Sequence, residues 1–240
     1  MADIAPTGRL RAAINYGNPV LAQRDVAGGE PRGVSAALAR ELAKRLGVEL
    51  EWIQYETAGA VWAPTAVGQW DVGFLAIDPE RAVRIDFTAA YVIIEGTYIV
   101  FKGSQFQQVA DLDRPGVQIS VGRNAAYDLY LSRTLKHAQL VRAETSSAAV
   151  ELFLQQKLDA AGGVRQPLLA FAKSNDDLRV VNDSFQRIEQ AMAIPKGRPT
   201  ATCYVRSFVE EMKASGFISE SLRISGQPDA VVAPASQQTR

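Results

Sequence analysis

Directly after an apolar run from Val72 to Ile77, the chain writes Asp78, Pro79, Glu80 and Arg81. The run is bounded by turn-forming residues and suits a buried parallel strand. The proline sets a turn and the acidic pair suits a helix start, so Arg81 is predicted at the carboxyl end of a strand. Open α/β sheets place their ligands at that end. A guanidinium there can fork onto a carboxylate, a geometry that a lysine ammonium does not reproduce. The competing reading is that Arg81 and Arg84 are both surface cations beside Asp78, Glu80 and Asp86.

Other chemistry is poorly supplied. His137 is the only histidine, in a polar turn, so histidine triads and histidine-rich metal sites are excluded. There is no P-loop, and Gly28-Gly29 lacks the spacing of a dinucleotide fingerprint. No cofactor and no metal is expected. Cys203 is the only cysteine, which excludes an internal disulfide and reads as an inert, buried or half-buried thiol on a late helix.

The elements that must position Arg81 follow from periodicity. Leu10 to Asn15 reads as a first strand, Ser35 to Leu46 as a helix ended by Gly47, and Val48 to Tyr55 as a second strand. Asp25 to Gly33 reads as a Gly-rich, hairpin-like excursion. Alanine-rich residues as far as Gly68 are compatible with a helix whose start Pro64 limits. This β-α-β-α-β order argues for a parallel sheet with helices on both faces. Beyond Gly116, strands are expected at Val117–Val121, Leu140–Arg142 and Lys157–Val164. Helices are expected from Tyr127, over Ser146–Gln156 and over Thr200–Lys213. The polar end from Gly226 is predicted disordered.

With 240 residues, 47% of them hydrophobic and 22% charged, the chain has the composition of an ordinary globular protein large enough for one domain or two small ones. Lys plus Arg and Asp plus Glu number 26 each, so no electrostatic feature points to nucleic acid or an anionic membrane. No apolar run reaches the ~18 residues of a membrane span, so no membrane insertion is expected. The start, MADIAPTG, lacks the basic region and apolar core of a secretory leader. If Met1 is the native start, the protein is expected in the cytoplasm.

The stretch DPERAVRIDFTAAY, with AIPKG at Ala193 to Gly197, resembles the family 3 solute-binding proteins, the amino-acid receptors of ABC transporters. The similarity runs from about Gly8 to Phe217. It implies an α/β, two-lobed periplasmic-binding-protein-like fold, each lobe a mostly parallel sheet flanked by helices, with a two-strand hinge. Lobe 1 would be residues 1–100 plus 195–240 and lobe 2 residues 101–194, with crossings near Tyr98–Lys102 and Ala191–Lys196. The resemblance favours Arg81 inside the interlobe cleft and Arg84 outside it. It makes Asn15, Tyr16 and Asn18 ligand candidates, although Gly17, Asn18 and Pro19 also suit a simple turn. Glu56 and Ala76, at the ends of their strands, join them; an exposed loop carboxylate is the alternative for Glu56.

In the family, a loop and helix start in the second lobe bind the substrate carboxylate. Here Arg123, Asn124 and Ala125 occupy that place, without the usual hydroxyls. The family also sets an aspartate near Val164 to pair with an α-ammonium group, and this chain has Val164 followed by Arg165. A buried ammonium without a carboxylate is costly, so three arginines point to an acidic or amine-free solute over a basic one. The resemblance thus implies a monomeric receptor for a small carboxylate-bearing ligand, working with an ABC permease and, if a leader has been removed, placed in the periplasm. Two rivals share the fold. One is a cyclohexadienyl-dehydratase-like lyase, which needs an acid or base such as Glu56, Glu144 or Glu189. The other is a cytoplasmic ligand sensor.

Overall fold

The computed structural model describes residues 3–25, 28–63 and 66–236. It divides into two units, Met1–Ile93 with Glu189–Arg240, and Ile94–Ile188. In chain order, unit 1 begins with β1 (Arg9–Asn15). Helix α1 (Val34–Leu46) follows, burying Val34, Leu38, Leu42 and Leu46 along one stripe. Gly47 ends it in the left-handed region, φ 65, with its amide turned back to the Ala43 and Lys44 carbonyls. β2 (Glu49–Tyr55) runs parallel to β1 in unbroken register from Arg9↔Glu49 to Asn15↔Tyr55. The next helix, α2 (Ala58–Trp62), is capped by Thr57, whose hydroxyl oxygen accepts the Ala60 amide at 3.2 Å. It stops well short of Gly68, and Pro64, expected to limit its start, lies outside the described residues. β3 (Val72–Ala76) is buried at all five positions and lies parallel to β1, as its apolar run requires.

β4 (Ile85–Phe101) is a single strand of 17 residues that carries the chain from unit 1 into unit 2. There β5 (Gln118–Gly122), α3 (Ala126–Thr134), β6 (Gln139–Ala143), α4 (Ser146–Gln156), β7 (Ala160–Val164), α5 (Arg165–Lys173) and β8 (Leu178–Val180) follow. β9 (Gln186–Pro195) brings the chain back, and α6 (Pro199–Ala214), α7 (Phe217–Ile224) and β10 (Val231–Val232) complete unit 1. Strand order is β2-β1-β3-β9-β4 in unit 1 and β4-β7-β5-β6 in unit 2. Within each, β-α-β succession gives parallel pairs such as β5 with β6, while the crossing strands pair antiparallel, as β3 with β9 and β4 with β7. The two-strand connection is thus β4 and β9. The chain changes unit after Ile93 and after Ile188, earlier along both strands than the segments Tyr98–Lys102 and Ala191–Lys196 named from the sequence.

Unit 1 packs Ala13, Val61, Trp70, Leu75, Ile85 and Ala193 together, and unit 2 packs Ile99, Phe153, Leu158, Ala161, Leu168 and Leu178. One buried carboxylate braces unit 1. Asp71, its side chain 0% exposed, accepts Arg11 Nε at 3.0 Å, Arg11 NH2 at 2.7 Å and Arg198 NH1 at 2.8 Å. The same carboxylate accepts the Arg11 amide at 3.0 Å. β1, the turn before β3 and the start of α6 are thereby tied to one group.

The tail corrects an expectation. Residues 226–236 are ordered: β10 pairs with β4 through Val231↔Ile93 and Val232↔Val92, and the Ala233 amide donates to the Tyr91 carbonyl at 3.1 Å. Lys213 Nζ, almost fully buried, donates to the carbonyls of Pro234 at 2.9 Å and Ala90 at 3.2 Å. Backbone pairing and this ammonium compensate for the segment's low hydrophobicity. Residues 237–240 lie outside the described residues, as does Met1.

Candidate functional site

Arg81 opens a short 3-10 turn, Arg81–Val83, immediately beyond β3. Asp78 builds the bend. Its Oδ1 accepts the Glu80 amide at 2.9 Å and its carbonyl accepts the Ala82 amide at 2.9 Å, an Asx-type turn that throws residue 81 back over the strand end. The Arg81 guanidinium is 1% exposed, and NH1 donates to the Ala76 carbonyl at 3.1 Å. Burying a guanidinium costs several kcal/mol before compensation, and the Ala76 carbonyl supplies part of that compensation. Arg84, by contrast, is exposed, with its guanidinium 5.9 Å from the Trp62 ring centre. Ala76, a ligand candidate from the sequence, has its carbonyl engaged by Arg81. Gln190, 5% exposed and opposite Ala76 in register, stands at the same level and was not singled out from the sequence.

The ends of β1 and β2 bring several candidates together. Asn15 Oδ1 accepts the Gly17 amide at 3.0 Å, and the Tyr16 amide donates to the Tyr55 carbonyl at 2.9 Å. Asn18 is 9% exposed; its carbonyl accepts the amides of Leu21 and Ala22, while its buried side-chain oxygen has no hydrogen-bond partner. The turn that Gly17, Asn18 and Pro19 were expected to make is present. Gly17 lies so close to the second strand's end that a β-carbon would sit 2.8 Å from the Glu56 carbonyl oxygen and 3.3 Å from Thr57 Cα. Gly17→Ala is therefore expected to destabilise the protein by about 1–3 kcal/mol, as overpacking does, measurable as a lowered urea midpoint with an unchanged slope.

Glu56 is exposed, and it is not alone. Arg24, on the loop leaving β1, pairs with it and lays its guanidinium 4.1 Å from the centre of the Tyr16 ring. Tyr16 Oη donates to Gln54 Oε1 at 3.2 Å. Partial burial raises the Tyr16 phenol above its usual value; Arg24 opposes that shift and Glu56 adds to it. Arg24 is the functional candidate that sequence reasoning missed. Its only local signal was a cation in the loop after Tyr16.

In unit 2 the expected carboxylate cradle is differently used. The Asn124 amide donates to Asp128 Oδ2 at 2.8 Å and the Ala125 amide to the Gly122 carbonyl at 3.1 Å. Asn124 itself takes a left-handed backbone, φ 58. Those two donors are bonded within the turn. Arg123 is half exposed and faces Glu144 at 3.4 Å. Arg165 does not supply free positive charge either. Its Nε donates to Glu95 Oε2 at 2.5 Å, NH1 to the Val181 carbonyl at 3.1 Å and NH2 to the Asp183 carbonyl at 3.0 Å. It is a brace between β4 and the segment after β8.

The chain matches the model of the bacterial extracellular solute-binding proteins, family 3, over residues 10–223. It belongs to that family. Among curated relatives of this solute-binding protein, the L-cystine-binding protein TcyJ of Escherichia coli K12 is 26% identical over 191 residues, 78% of this chain and 71% of the relative. The solute receptor for L-cysteine of Neisseria gonorrhoeae superposes with a TM-score of 0.80 at 21% identity, covering 95% of this chain and 93% of that one. The ancestral amino-acid-binding protein AncCDT-1, described as a precursor of cyclohexadienyl dehydratase, gives 0.76 at 23% identity over 92% and 96%. At those identities the two structures speak for the fold. No described helix of this family member is long and apolar enough to cross a membrane.

Proposed function

We propose that this solute-binding protein captures a small carboxylate-bearing solute, an amino acid or a related organic acid, and anchors its carboxylate on Arg81. The observation that carries the reading is the buried guanidinium held over the end of β3. Asn15, Tyr16 and Asn18, at or just beyond the end of β1, join it in the same proposal. The 26% identity to an L-cystine-binding protein supports an amino-acid-like solute. Membership of an extracellular family supports action outside the cytoplasm, as a monomer serving an ABC permease.

A thermal-shift screen of amino acids, dicarboxylates and aromatic acids tests this reading. A solute at a hundred times its dissociation constant adds about 2.7 kcal/mol, expected as a rise of roughly 5–10 °C for a chain of this size. No stabilisation by any of them would sink the receptor reading.

The lyase alternative draws on the AncCDT-1 likeness. Against it, Glu56 and Glu144 are 67% and 82% exposed and both face arginines, and Glu189 is exposed as well. None sits in the dry setting that tunes a general acid. Turnover of prephenate or arogenate, lost in Glu56→Gln, would reverse the choice.

A further inference from the structure

Tyr16, directly after the last residue of β1, offers the face of its ring to a guanidinium. Such a face is a seat for a cation, and a carboxylate beside it strengthens the seat. In this chain the seat is filled from within. The Arg24 guanidinium lies 4.1 Å from the ring centre and is ion-paired with Glu56. We infer that Arg24 sets the selectivity of the site by occupying, as a tethered internal cation, the place that a solute's cationic side chain would need. The inference rests on the proposed function and deepens it.

The physical argument is competition. A tethered group acts at an effective concentration that a free solute in the micromolar range does not approach. A lysine- or arginine-like solute would have to displace Arg24 from the Tyr16 face and from Glu56 together. A solute with a neutral, zwitterionic or acidic distal end needs neither place and is admitted. The Arg24 and Glu56 side chains are 55% and 67% exposed, so changing them leaves the core untouched and both variants are expected to fold.

The test is titration calorimetry of the full chain as wild type, Arg24→Ala and Arg24→Ala/Glu56→Gln. The probes are L-lysine, L-arginine, L-glutamate and L-cystine. Wild type is expected to favour glutamate or cystine over the two basic amino acids. Arg24→Ala vacates the seat and leaves Glu56 unpaired beside it, so the affinity for lysine and arginine relative to glutamate is expected to rise about tenfold or more. The double variant removes the carboxylate and is expected to lose that gain. A lysine-to-glutamate ratio unchanged in Arg24→Ala overturns the inference while leaving the receptor reading in place. Absence of binding by all three proteins to every probe overturns both.

Discussion

Replacing Asp71 with asparagine is expected to lower stability by about 3–5 kcal/mol, the usual consequence of removing one partner from a buried ionic cluster. Its carboxylate is the shared acceptor of Arg11 and Arg198, whose side chains are only 18% and 19% exposed. Asparagine keeps the shape and the amide contact but leaves two half-buried cations facing no anion. For a chain of this length the melting temperature should fall by roughly 10 °C or more. The effect also has a sign in pH. Burial pushes the Asp71 carboxyl up, but the hydrogen bonds from Arg11 and Arg198 outweigh it and hold the group below its ordinary value. A carboxyl depressed in the folded state stabilises fully above the unfolded value of about 3.9 and loses that contribution as pH falls through the folded value. The gap between wild type and Asp71→Asn is therefore expected to be constant near neutrality and to close in acid. Denaturant midpoints measured from pH 7 downwards check both parts; a gap that stays constant to the lowest accessible pH would show that Asp71 is not held ionised.

The second large effect is on binding. Arg81→Ala is expected to weaken the solute identified by the screen by thirtyfold or more, since truncating one partner of a buried, hydrogen-bonded charge pair costs about 2–5 kcal/mol. Arg81→Lys retains the charge but not the planar fork, so most of the loss should remain. Because residue 81 is buried, each variant needs a melting curve beside its titration. A folded Arg81→Ala with wild-type affinity would remove Arg81 from the site.

What the sequence disclosed depended on whether the determining contacts were local. The helix over Ser146–Gln156 has its expected bounds because its apolar spacing and its start are written in neighbouring residues. The turn that buries Arg81 was likewise legible from Asp78 and Pro79. The crossing between units was less so, because both crossings fall inside continuous strands, β4 and β9, with no turn to mark them. β10, two residues long, is a strand only because β4 is there to receive it. Arginine roles were the least legible. Arg165 looked like ligand-facing charge until Glu95, 70 residues away in sequence, was found beside it. Arg24 was not singled out at all, because Glu56, 32 residues on, and the Tyr16 ring meet it only in the fold.

The central claim is that a small carboxylate-bearing solute is held by the guanidinium at the tip of β3. Titration calorimetry of wild type and Arg81→Ala, side by side with the solute that most raises the melting temperature, tests it most directly. The account predicts one solute per chain in the wild type, with a heat that vanishes or an affinity that drops by at least thirtyfold in the variant. Equal affinities in two equally folded proteins, or turnover of the solute in place of its retention, would contradict it.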